Sequence, residues 1–142
     1  MNGRTFVDTN VLVYAHDADA SAKRQIAKEI LRELWVERTG VLSVQVLQEF
    51  YVNVTRKIPS PLTKASARLV VDGYATWCVE TTPTEIAGAF RIEDEARISF
   101  WDALIVSSAV KSGATRILSE DLNAGQQIGG IFIENPFAGR RT

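Results

Sequence analysis

Short β-like apolar runs alternate with longer helical segments along this 142-residue chain, and that alternation constrains the fold more than any other feature. Strands separated by helices pair in parallel through right-handed crossovers. The pattern therefore predicts an α/β/α sandwich, a central parallel sheet flanked by helices. Arg4–Val7 reads as the first strand. Residues 21–38 read as an amphipathic helix, because Ile26, Ile30 and Leu34 repeat at i+4 with Ala27, Leu31 and Trp35 one position on. Gly40 supplies its stop. Ser43 caps a second helix that runs to about Lys57, closed by Pro59 and Pro61, and Thr63 caps a third that ends near Gly73. Residues 77–80 form a short strand candidate. Thr82, Pro83 and Glu85 spell a capping box with proline at the first helical position. Ser99 caps a helix from Phe100 to Lys111 and Ser112 that Gly113 stops, and residues 114–118 and 131–134 are the last strands.

Four acids sit against these apolar elements. Asp8 ends the first strand, Glu49 lies inside the mostly apolar stretch 44–54, Asp102 opens an apolar helix, and Asp121 follows the strand at 114–118. Carboxylates beside core-forming segments are costly unless they are paired, solvated or bound to a cation. Each has an ordinary structural reading: Asp8-Thr9-Asn10 as a turn, Glu49 with Gln45 and Asn53 as a polar helix stripe, Asp102 as a helix-dipole partner, Asp121 as a cap with Glu120 as its competitor. All four ordinary readings must hold together for the set to be an accident. In sheets of this kind sites form at the carboxyl ends of strands, where both Asp8 and Asp121 lie. An all-oxygen set suits Mg²⁺ or Mn²⁺ rather than zinc. The single histidine, His16, reads as a surface residue in a polar loop, so neither a zinc set nor a catalytic triad is on offer. Acidic clusters with such ions serve phosphoryl chemistry.

Composition sets the limits. A hydrophobic fraction of 46% with 23% charged residues fits one globular domain over residues 1–142 and argues against general disorder. The one cysteine, Cys78, can form no internal disulfide and suits a core position or a reducing compartment. Asp8 interrupts the apolar start too early for a signal peptide. No apolar run approaches the roughly 18 residues of a membrane span, so the expectation is a soluble, cytoplasmic protein without membrane contact. A net charge of −1 provides no global basic field for nucleic acid. The cations are nevertheless unevenly placed: Arg56, Lys57, Lys64 and Arg68 fall in one short region as candidate RNA contacts, and Arg140 and Arg141 lie near the end.

Residues 7–12 (Val-Asp-Thr-Asn-Val-Leu), Glu49 in a mid-chain helix, residues 99–105 (Ser-Phe-Trp-Asp-Ala-Leu-Ile) and residues 118–122 (Leu-Ser-Glu-Asp-Leu) together resemble the PIN domain, in order and over nearly the whole chain. The size resembles VapC-type toxins of bacterial toxin–antitoxin pairs. That resemblance implies metal-dependent ribonuclease activity, frequent homodimerisation and inhibition by a cognate antitoxin. Asp8, Glu49, Asp102 and Asp121 match the family's acidic site, and Thr9, Asn10 and Ser119 its polar supports. A housekeeping PIN nuclease of RNA maturation, and a non-catalytic RNA- or protein-binding module with a relic acidic site, are the competing expectations.

Overall fold

The computed structural model describes residues 3–138, so Arg140 and Arg141 lie outside the described residues. Strands β1 (Arg4–Val7), β2 (Gly40–Ser43), β3 (Cys78–Val79), β4 (Ala114–Leu118), β5 (Gln127–Ile128) and β6 (Ile131–Glu134) form one sheet in the order β3-β2-β1-β4-β6-β5. Every pairing is parallel except the short β5–β6 edge. Phe6 and Val7 of β1, Val41 and Leu42 of β2 and Ile117 and Leu118 of β4 are all buried, on both pleat faces. A sheet apolar on both sides needs helices on both sides.

Those helices are α1 (Thr9–His16), α2 (Ala22–Glu37), α3 (Val44–Val52), α4 (Lys64–Tyr74), α5 (Pro83–Ala96) and α6 (Phe100–Lys111). The chain steps outward from β1 to β2 to β3, then returns to lay β4 on the other side of β1. Right-handed crossovers therefore put α1 to α4 on one face and α5 and α6 on the other. The reversal of strand order leaves a crevice between the carboxyl ends of β1 and β4. Asp8 and Ser119 are the residues that follow those two ends.

The predicted caps hold: Ser43, Thr63 and Ser99 oxygens accept from the backbone N–H groups of Val46, Ser66 and Asp102. The Thr82–Glu85 capping box is complete, with Pro83 opening the helix. Other expectations change. The turn reading of residues 8–10 gives way to a helix over 9–16, an element the sequence reading does not assign, because Val11, Leu12 and Ala15 bury one face against the core. Gly40 does not end α2; the helix stops at Arg38 in a left-handed conformation (φ 59°), and Gly40 begins β2. There a Cβ would lie 2.9 Å from the Trp77 ring, so that close approach requires glycine.

His16 closes α1 instead of sitting in a surface loop. Its Nε2 lies 3.0 Å from the Tyr74 hydroxyl and its ring stands edge-on to Phe50. Burial, then the charges of Lys28 and Arg24, holds its pKa below the ordinary imidazole value. The helix predicted to run to Lys57 does so, but residues 53–57 widen into a π-helical turn. Leu31 and Leu34 enter the core while Trp35 stays 50% exposed, resting on Trp77 with centroids 5.3 Å apart. No helix among the described residues is long and apolar enough to cross a membrane.

Candidate active site

Asp8 is the centre of the crevice. Its backbone N–H donates to the Leu118 carbonyl at 3.0 Å, which locks the end of β1 to the end of β4. One carboxylate oxygen accepts from the Thr9 N–H at 2.8 Å and so caps α1. The other accepts from the Ser119 hydroxyl at 2.7 Å. Ser119 is fully buried, and its oxygen in turn accepts from the N–H groups of Asp121 at 3.1 Å and Leu122 at 3.2 Å. One hydroxyl thus fixes Asp8 and turns the chain so that Asp121 faces it.

Asn10 ties the same loop from α1. Its Nδ2 donates to Asp121 at 3.1 Å and its Oδ1 accepts from the Glu120 N–H at 3.0 Å. Glu49 enters from α3, with the Thr9 hydroxyl donating to it at 3.4 Å. Asp102 is the third residue of α6, its N–H donating to the Ser99 cap. The Gln45 side-chain amide donates to the Trp101 carbonyl at 3.4 Å, joining α3 to the first turn of α6. Both α1 and α6 point their amino ends at the crevice, which favours carboxylates there.

The electrostatics show the cost of this crowding. Asp8 is pushed up from the ordinary carboxylate value to about 6, by burial first, with the charges of Glu49 and Asp121 adding and the Ser119 and Thr9 hydrogen bonds opposing. Glu49 is also raised, by burial first and then by the charges of Asp102 and Asp121. Glu49 thus links the acids electrostatically, feeling Asp102 and Asp121 and acting on Asp8, although the four do not converge on one point. Among the described residues no three His, Cys, Asp or Glu side chains are gathered closely enough to hold a metal ion. The donor set still fits a hard divalent cation, being all oxygen. A carboxylate raised by burial, with its acidic neighbours adding, is also the group whose charge a cation would most readily restore.

Glu120 does not join that set. Lys23 and the Tyr14 hydroxyl both hold it at 2.5 Å, and the Lys23 ammonium also stands over the Tyr14 ring. Burial acts to raise Glu120, but the hydrogen bonds from Lys23 and Tyr14 outweigh it and keep the carboxylate below its usual value. Sequence reasoning passed over Tyr14 and Lys23. A helical reading of residues 9–16 would have put Tyr14 one turn after Asn10; no local signal announces Lys23, 97 positions from Glu120. The cleft, about 270 Å³, is bordered by Thr9, Asn10, Val13, Tyr14, Asn53 and three acids, Glu49, Asp121 and the paired Glu120, while Asp8 and Asp102 lie outside its lining. Arg56 and Lys57 lie in the π-helical turn and Lys64 and Arg68 on α4, all four exposed. The wider turn means that plain α-helical periodicity does not relate Arg56 to Glu49.

Fold and site define an α/β protein with an acidic cleft at the switch point of a parallel sheet. The PIN domain model matches residues 5–126, and the chain belongs to that family. No curated protein matches by sequence. Among solved structures, the chain is similar to the Mycobacterium tuberculosis toxin VapC20, described as cleaving the sarcin–ricin loop. The two share 21% identity and a TM-score of 0.60, over 82% of this chain and 89% of that one. A toxin–antitoxin complex from Klebsiella pneumoniae aligns with 16% identity and a TM-score of 0.67, over 94% and 98%. VapBC2 from Rickettsia felis, bound to promoter DNA, aligns with 19% identity and a TM-score of 0.66, over 92% and 97%. At such identities these likenesses bear on the fold.

Proposed function

We propose that this chain is a Mg²⁺- or Mn²⁺-dependent endoribonuclease acting in the cytoplasm as the toxin of a toxin–antitoxin pair. The observation that carries the reading is the buried Asp8, both of whose oxygens are fixed and which feels the charges of Glu49 and Asp121, with Asp102 in turn acting on Glu49. Family membership supports nuclease chemistry, and the toxins and toxin–antitoxin complexes among the structural neighbours support the biological role.

Asp8, Glu49, Asp102 and Asp121 would hold the cation, which when bound neutralises phosphate charge and lowers the pKa of a water. The chain's own groups set the stage. Ser119 and Thr9 present Asp8 in one orientation, as outer partners of a ligand do. Asn10 holds the loop of Asp121 against α1. Lys23 and Tyr14 occupy Glu120, so the charge that a cation must offset is that of four acids. Without a cation those acids repel an RNA phosphate, so RNA and cation binding are coupled. Arg56, Lys57, Lys64 and Arg68 would take phosphates beside the scissile one.

A homodimer and a cognate antitoxin belong to the same reading. From sequence, the helix over 21–38, with Trp35 beside Leu31 and Leu34, is the candidate dimer face. Leu31 and Leu34 are buried in the core, so the exposed Phe90 and Trp101 around Phe100, with rings 5.7 and 5.2 Å apart, offer a second copy the broader apolar face. An antitoxin arginine would suit the acidic cleft, since guanidinium pairs bidentately with carboxylate. The test incubates purified protein with RNA in Mg²⁺, Mn²⁺ or chelator, and expresses it in cells with growth and RNA ends followed. Cleavage undiminished in chelator discards the metal-dependent nuclease. Cleavage by a chain that cells tolerate selects RNA maturation, and metal binding without cleavage selects the binding module.

A further inference from the structure

A second recess lies at the opposite end of the sheet. Arg4 starts β1, Arg38 ends α2, and Trp35, Trp77 and Cys78 complete a groove of about 440 Å³ floored by Gly40 and Val41. That volume suits a small ligand. Both charged residues that line it are arginines. The ion pairs among the described residues are Lys23–Glu120, Lys111–Glu85 and Arg116–Glu134, so neither guanidinium has a carboxylate partner there. One nitrogen of Arg4 lies 3.4 Å from the Ser112 carbonyl, a long contact that leaves its other donors for a ligand. Arg38 suits the carboxyl end of α2 on its own account and Trp77 belongs to the core, but neither role accounts for the exposed face of Trp35.

Trp35 is 50% exposed, tilted 41° against Trp77, while Trp77 lies over Gly40 where any side chain would collide. A half-exposed indole on a rigid backing is a stacking platform. Glu80 is the acid whose charge reaches Cys78, and it does not line the groove. Stacking surface beside two guanidiniums selects a planar aromatic ring that carries a phosphate.

We propose that this groove binds a nucleotide, its base stacked on Trp35 and its phosphate held by Arg4 and Arg38. The nucleotide could be free or part of an RNA strand, and the probes below separate the two sources. The site is remote from the acidic cleft and independent of the nuclease reading.

The test is a tryptophan-fluorescence titration of the full chain in chelator, where no metal-dependent cleavage intervenes. The probes are 5′-AMP, adenosine and a short oligoadenylate. Two of the three tryptophans line the groove, so occupancy should quench saturably at a Kd on the order of millimolar or tighter. Adenosine should bind at least about tenfold more weakly than 5′-AMP, and Arg4→Gln and Arg38→Gln should each weaken 5′-AMP by about tenfold. Trp35→Phe should remove most of the signal change while keeping affinity within a few fold. Both arginines are exposed, so the variants should fold, which circular dichroism checks. Saturation by 5′-AMP assigns the groove to free nucleotide, and saturation by oligoadenylate alone assigns it to an RNA strand. Absence of saturable quenching with either, adenosine binding as tightly as 5′-AMP, or affinity unchanged in the Arg4→Gln, Arg38→Gln double variant overturns the proposal.

Discussion

The two ends of the sheet are built from the same strands yet carry opposite chemistry. At the carboxyl end, Asp8, Glu49 and Asp121 are tied through Thr9, Asn10 and Ser119, and Asp102 adds its charge at Glu49. At the amino end, Arg4 and Arg38 border a groove with two indoles and no ion-pair partner among the described residues. A network with each group held by several others is expensive to disturb. Separate surface groups around a groove can be changed one at a time. The difference teaches where a substitution should spread its effect and where it should stay local.

The largest effect expected at the acidic end is on cleavage. Asp102→Asn and Asp8→Asn should each abolish RNA cleavage while circular dichroism shows an intact fold, and Arg4→Gln should leave the rate unchanged. Wild-type rates in either acid variant would dissolve the contrast between the two ends.

Stability should follow Asp8. Its folded-state pKa of about 6 lies above the ordinary 3.8, so its protonated form is the one that folding favours. Its favourable share is complete below about pH 4 and is lost as pH rises through about 6. A shift of roughly two units corresponds to about 3 kcal/mol. Urea melts in chelator should therefore show wild type losing about that much between pH 4 and 7.5 relative to Asp8→Asn, with added Mg²⁺ or Mn²⁺ restoring it. Parallel pH profiles for the two proteins would show that Asp8 is not strained.

Smaller still is the effect of the hydroxyl that organises the loop. Ser119→Ala removes the donor to Asp8 and the acceptor for Asp121 and Leu122. Outer partners of metal ligands are typically worth about 10- to 100-fold, and a loss of that size in Mn²⁺ affinity, measured calorimetrically, is expected. The smallest change should come from Arg56→Ala, which ought to weaken RNA affinity and lower the salt slope by about one while sparing the chemical step. An unaltered slope would move the RNA path off this surface.

Much of this architecture was legible before any coordinates. Caps at Ser43, Thr63, Thr82 and Ser99 announce their helices because each uses a side chain within three residues. Asp8 and Asp121 draw attention locally as carboxylates at strand ends, whereas Ser119 enters only through the family resemblance, since a serine after a strand carries no signal of its own. What escaped depended on distant partners. Asp-Thr-Asn favours a turn locally, and only burial of Val11 and Leu12 makes residues 9–16 helical. Gly40 looks like a helix stop until Trp77 is laid across it. The neutralisation of Glu120 by Lys23 and Tyr14, and the arginine–indole groove, exist only once separate segments meet.

The bond from Ser119 to Asp8 spans 111 positions. Synthesis runs from the amino end, so Asp8, Glu49 and Asp102 leave the ribosome well before the strand that will orient the first of them. Closing a loop of that length also comes late in folding, because its entropy must be met before the contact rewards it. A nascent or truncated chain that stops short of β4 therefore carries three of the four acids but lacks the Ser119 bond that fixes the second oxygen of Asp8. The orientation that Ser119 gives Asp8 therefore arrives only with completion of the sheet.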